Sequence, residues 1–234
     1  ITMAEIETQD VTARLLQAAL PHVAFDGWSD TTFLAACEDA VVVPELARLA
    51  CPRGGVDLAV RFHHDGDDAL RKALTKTDVT SMKIREKITY AVRLRIDAID
   101  DKEAARRAAT LMALPQYAGE GAKLIWRTCD QIWTALGDSS EDVNWYTKRL
   151  TLSSVYASTV LYWLGDTSPN HEATRAFLDR RIANVMEFEK FKAQVNANPL
   201  AKQLLLGPLW LLSKIKAPRQ TPSVDFPGDW PSRQ

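Results

Sequence analysis

Ser29-Asp30-Thr31-Thr32-Phe33-Leu34-Ala35-Ala36-Cys37-Glu38-Asp39-Ala40-Val41, followed by Pro44-Glu45-Leu46-Ala47-Arg48-Leu49-Ala50-Cys51, decides how the chain is read. Ser29 or Asp30 offers a side-chain oxygen to cap a helix, and Phe33, Leu34, Cys37 and Val41 recur at helical spacing behind it. Pro44 suits the first turn of a second short helix carrying Leu46, Ala47 and Leu49, which ends near Arg53-Gly54-Gly55. Upstream, Val11, Leu15, Leu16, Ala19, Leu20 and Val23 place one apolar stripe on residues 10 to 23, and Gly27-Trp28-Ser29 closes it. Downstream, residues 56 to 64 read as one more short helix, stopping at Asp65-Gly66-Asp67. Longer helical stretches follow at 82–98, 102–112, 119–136, 141–164 and 171–195, and alternating runs of the strand type are almost absent. The class is all-α.

Composition narrows the function. The chain has 234 residues, 46% hydrophobic and 25% charged, the balance of a globular protein with a real core. A net charge of −1 excludes holding nucleic acid by bulk charge. Cys37, Cys51 and Cys129 are far apart and form no CxxC pair, so they read as buried thiols and not as a disulfide or zinc framework. HExxH, GxSxG, GxGxxG and phosphate-loop patterns are missing. His63-His64-Asp65 reads as a helix-end pair near solvent, because adjacent helical residues point about 100° apart and no Glu-x-x-His partner exists. The expectation is therefore no catalytic residues, no metal and no cofactor. Ile1-Thr2-Met3 is not followed by a secretory pattern, and no stretch reaches the ~20 apolar residues of a spanning helix.

A short three-helix front before longer helices resembles the TetR-type regulators, with residues 30–41 and 44–51 as the helix-turn-helix. The front is the wrong charge for DNA. Residues 1–68 carry four basic side chains (Arg14, Arg48, Arg53, Arg61) against twelve acidic ones, a balance of −8, and lysine first occurs at Lys72. Phosphate neutralisation needs the opposite sign, so no nucleic-acid partner is expected.

Two stretches stand out. In Asp142-Val143-Asn144-Trp145-Tyr146-Thr147-Lys148-Arg149, the residues Asp142, Trp145, Tyr146 and Arg149 share one helical face. They form either a core aromatic pair beside an ion pair or an exposed Trp-Tyr-Arg contact patch. In the second reading Leu150, Leu152, Val155 and Leu161 fill the core instead. Residues 200–216 place Leu200, Leu204, Leu205, Leu211, Leu212 and Ile215 on one face, with Lys202, Gln203, Ser213 and Lys214 opposite and Trp210 on the flank. At 1.5 Å per residue the segment is about 25 Å long, too short to span with its lysines inside. It is either a core helix, kinked at Gly207-Pro208, or an interfacial membrane helix set off by Asn196-Ala197-Asn198-Pro199.

The run from Asn144 to Arg149, then Gly165-Asp166-Thr167-Ser168-Pro169, then Phe177-Leu178-Asp179-Arg180-Arg181-Ile182-Ala183-Asn184-Val185-Met186, resembles the Coq-nine family. These are accessory proteins of ubiquinone (coenzyme Q) biosynthesis. The likeness extends through Ile84-Arg85-Glu86, Arg93-Leu94-Arg95, Leu114-Pro115, Asp130-Gln131-Ile132-Trp133, and His22-Val23 with Gly27-Trp28. It implies a TetR-like helical bundle with a vestigial helix-turn-helix front (1–68), a lipid-binding and dimerising body (69–195), an amphipathic membrane helix (200–216) and a tail (217–234). It implies homodimerisation near 151–165 and 171–193. It also implies an apolar pocket for isoprenoid quinone or other lipid, and a docking face for the di-iron demethoxyubiquinone hydroxylase. That face would be Trp145, Tyr146 and Arg149 with Asp142, exposed at least in part. The pocket is expected among residues 82–162, lined by Leu111, Leu114, Ile125, Ile132, Leu152, Val155 and Tyr156. The implied setting is peripheral, on the cytoplasmic face of a bacterial inner membrane or the matrix side of the mitochondrial one. The Gly207-Pro208 pair departs from the family pattern. A lipid-sensing TetR-type regulator is the competing reading.

Overall fold

The computed structural model describes residues 3–197, and the expected membrane helix and tail lie outside them. Among the described residues the regular structure is all helical: α1 (Met3–Asp26), α2 (Asp30–Asp39), α3 (Pro44–Ala50), α4 (Gly55–Thr75), α5 (Ile84–Asp97), α6 (Lys102–Met112), α7 (Ala118–Ala135), α8 (Val143–Gly165) and α9 (Glu172–Ala197).

Capping chemistry sets several starts. Ser29, not Asp30, caps α2 by accepting the Thr32 N–H. Pro44 opens α3, Asp101 caps α6 and Asp142 caps α8. At α5, Glu86 reaches back to accept the Lys83 N–H at 2.9 Å. The α8–α9 turn is closed by Asp166, which accepts from Ser168 and from both the N–H and hydroxyl of Thr174. Those bonds hold its carboxyl well below the ordinary carboxylate range.

One expectation fails at the end of the front. The helix beginning near Val56 does not stop at Asp65-Gly66-Asp67 but continues to Thr75. Gly66 is where the Arg95 guanidinium from α5 lies against α4, and a Cβ there would sit 2.5 Å from its Nη1. Asp67, fully buried, accepts from Arg95 Nε at 2.7 Å. What looks like a helix breaker in sequence is a notch and counter-ion for a buried arginine.

Side chains pack into two cores. The front core joins Leu15, Leu16, Val23, Trp28, Phe33 and Cys37 with Leu58 and Ala104. The body core joins Leu70 and Leu74 of α4 with Val92, Ile132, Leu152, Tyr156, Trp163, Leu178 and Ile182. Trp28 Nε1 donates to the Ala104 carbonyl at 3.0 Å and Arg53 pairs with Glu120, fastening front to body. Of the expected α8 core positions, Leu152 and Val155 are buried, but Leu150 and Leu161 are 65% and 66% exposed. The helix is apolar on more than one face, and its neighbours α7 and α9 take the Leu152 side. Among the described residues no helix is long and apolar enough to cross a membrane.

Candidate functional site

An open groove of about 270 Å³ lies where α5, α7, α8 and α9 meet. Ile88, Trp133, Leu152, Val155, Ile182, Val185 and Met186 make its apolar side. Arg85, Asn144, Thr147, Lys148 and Thr151 supply polar groups, and Ile84 completes the lining. A concave surface with one greasy wall and a few polar groups suits a molecule that is itself mostly apolar with a polar end.

The sequence places this groove only in part. Leu152 and Val155 line it. Ile132 and Tyr156 are buried in the adjoining core, behind the wall, and Ile125 packs at that core's edge. Leu111 turns towards the front core, and Leu114 is 41% exposed in the turn after α6; neither belongs to the groove. The α9 residues Ile182, Val185 and Met186 were missed. Their apolar period with Leu178 was legible, but it points equally well to a dimer contact.

On another face of α8 lies the Trp-Tyr-Arg patch. Here the exposure expected of Arg149 is wrong: its side chain is fully buried. It donates through Nε to Asp130 at 2.6 Å, and through Nη1 to Asp138 at 2.9 Å and the Trp145 carbonyl at 3.1 Å. Its guanidinium carbon lies 3.9 Å from the Trp145 ring centroid. Lys148 adds bonds to Asp138 and Ser140. Burial alone would raise the Asp138 carboxyl, but bonds from Lys148, Arg149 and Ser140 outweigh it and bring the group down to about 2. Trp145 and Tyr146 are half-buried, 4.8 Å apart in an edge-on pair, and both adjoin Trp126 of α7. Asp142 is exposed and occupied in capping α8. Arg149 thus holds the aromatic face in place from behind, while Trp145 and Tyr146 present it.

A second buried polar cluster sits where α4, α5, α7 and α8 converge. Thr128 donates to Asp67 at 2.8 Å and its oxygen lies 2.9 Å from His63 Nε2. Arg95 Nη2 donates to the His63 carbonyl. Burial, then the Arg95 charge, lowers the His63 imidazole to about 4. Burial raises the Tyr156 hydroxyl and the Cys129 thiol to about 12 each, so both are neutral and unreactive near pH 7. His63 therefore stands on a buried ion pair, not at a helix end, while His64 lies half-buried beside Arg127 of α7 at 3.1 Å. Among the described residues no cluster of His, Cys, Asp and Glu suits a metal ion.

The vestigial front has its own surface. Leu34, Val41, Val43, Leu46 and Leu49 are exposed, and Arg48 is drawn back onto Asp30 and the Phe33 ring. The second short helix therefore presents leucines where a DNA reader would present cations.

A family model described as COQ9 matches residues 118–189. The mitochondrial "Ubiquinone biosynthesis protein COQ9" of Drosophila melanogaster is 30% identical over 189 residues, 79% of this chain and 58% of that protein. COQ9-B of Xenopus laevis is 30% identical, covering 78% and 64%, and human COQ9 is 27% identical, covering 79% and 60%. The chain thus spans about three fifths of the length of these relatives. Among solved structures, a TetR transcriptional regulator from Nitrosomonas europaea superposes with a TM-score of 0.61 at 18% identity, covering 74% of this chain and 95% of that one. The TetR-like fold and the likeness to the Coq-nine family are both borne out.

Proposed function

We propose that this relative of the COQ9 proteins serves ubiquinone biosynthesis as a non-catalytic lipid-binding accessory protein. It holds an isoprenoid quinone intermediate and presents it to the demethoxyubiquinone hydroxylase. The groove carries this reading: its apolar wall suits a polyprenyl tail, and the Asn144, Thr147 and Lys148 side suits a ring with polar substituents. A polyprenyl lipid resides in the bilayer, so a protein that offers it to an enzyme needs a dry surface and a membrane foothold, here residues 200–216. Trp145 and Tyr146 stand on another face of α8, the helix that also carries Asn144, Thr147 and Lys148 of the groove, so an enzyme docked on them would hold the helix that lines it. The relatives are named as ubiquinone biosynthesis proteins, which supports the pathway. Their mitochondrial names support a mitochondrial setting over the bacterial one.

Mass spectrometry of lipids that co-purify with the chain tests the reading. A quinone precursor should appear, and Val185→Arg, at the groove, should remove it without unfolding the helices. Absence of any isoprenoid from the unaltered chain would sink it. The regulator alternative is favoured only by the fold. A gel-shift with the DNA upstream of its own gene decides, and the −8 front predicts no shift at physiological salt.

A further inference from the structure

We propose that the loop between α4 and α5, together with the first turn of α5, is a second membrane contact that seats the groove's mouth on anionic lipid. It extends the function proposed above and rests on its membrane reading. The segment Lys76-Thr77-Asp78-Val79-Thr80-Ser81-Met82-Lys83-Ile84-Arg85-Glu86-Lys87 carries four basic and two acidic side chains. Both carboxylates are exposed, Glu86 accepting the Lys83 N–H and Asp78 the Thr80 hydroxyl, so the segment keeps a net charge of +2 from four cations and two anions. Lys76, Lys83 and Arg85 are exposed. Ile84 is 46% exposed although it also lines the groove, and Val79 and Met82 are only half-buried. Apolar residues that reach water between cations are the composition of a surface that rests in the headgroup layer.

Position gives the contact its purpose. Ile84 and Arg85 are at once part of this segment and part of the groove, so a lipid passing between them need not cross water. The groove is shared with Val185 and Met186 of α9, which runs on to Ala197, and the leucine-rich stretch begins at Leu200 just beyond. The loop and the groove's mouth therefore belong to the same end of the body. The acidic front is fastened elsewhere, to α6 and to the start of α7 through Trp28 and Arg53. Anionic lipid attracts the first end and repels the second, which orients the molecule with its groove towards the bilayer.

The three native cysteines are buried, so a Ser81→Cys variant of the full chain takes an environment-sensitive fluorophore selectively at an exposed site. On vesicles of phosphatidylcholine with phosphatidylglycerol, its emission should rise and shift to the blue, and lipid-borne nitroxides should quench it. Lys83→Gln with Lys87→Gln should weaken that response by roughly 30-fold, since each cation near an anionic surface contributes about fivefold. A chain that sediments with the vesicles while the label stays in water overturns this proposal alone. Failure of the full chain to sediment at all overturns the membrane foothold and this contact with it. A shift that follows protein concentration without vesicles means that a second copy covers the loop, and also overturns it.

Discussion

At the scale of single residues, two glycines make opposite predictions. Gly119, in the first turn of α7, has nothing within 4 Å of a built Cβ. Gly119→Ala should raise the melting temperature by about 2 °C through helix propensity and a less free unfolded chain. Gly66 faces a guanidinium pinned by Asp67 and the His63 carbonyl. Gly66→Ala should lower stability by about 2 kcal/mol, despite the same propensity gain, because the buried arginine has nowhere to go. Equal shifts for both would show that the notch is loose. His63 predicts a pH dependence. Its folded imidazole protonates near 4 and its unfolded one near 6.5. The unfolded state then binds more protons between those values, so stability falls as pH drops through the window, by up to about 3 kcal/mol. His64 is lowered as well and acts in the same direction. Urea midpoints at pH 7 and 4.5 should converge in His63→Gln. None of this is legible in sequence. Asp65-Gly66-Asp67 has the composition of a turn, and only the arrival of Arg95, 28 positions away, reveals it as a socket.

Among the elements, α8 is the most informative. Arg149→Met strips Asp130 and the buried Asp138 of a cation and should cost about 3 kcal/mol, seen in thermal melts. Tyr146→Ala leaves that network intact. It should weaken hydroxylase binding by about 30-fold or more while most of the stability remains. An unfolded Tyr146→Ala would return the aromatic pair to the core. The outward stripe Leu150, Ser154, Ser158, Leu161 runs down the same helix, with Tyr162 stacked 4.4 Å from Phe177 of α9. Small residues between two leucines allow close approach of a second copy, so Leu161→Glu should turn the expected dimer into a folded monomer in sedimentation analysis. Sequence supplied the α8 stripes but not their sides. Leu152 and Leu161 obey the same period; the face that becomes interior depends on where α7 and α9 lie, which no local pattern states.

At the level of the whole molecule, the order of helices and the charge of the front were readable, because both depend on composition along the chain. The groove was readable only in halves, since its α9 wall comes from residues remote from the α8 wall. Removing residues 200–234 should leave a folded dimer that still binds the hydroxylase but no longer sediments with vesicles, the loop before α5 being too weak to hold alone. Sedimentation of the truncated chain at full strength would refute the foothold. The longer consequence comes from α4. That one helix supplies Leu58 to the front core, Leu70 and Leu74 to the body core, and Asp67 between them. The front is therefore not an appendage that an experimenter can cut away. Excision of residues 1–68 would remove two thirds of the shared beam, residues 55–68 of 55–75, and strand Arg95 without Asp67 and the His63 carbonyl. A deletion of that kind would be recorded as loss of activity, and the leucine-faced helix-turn-helix would be credited with a task that belongs to a keystone.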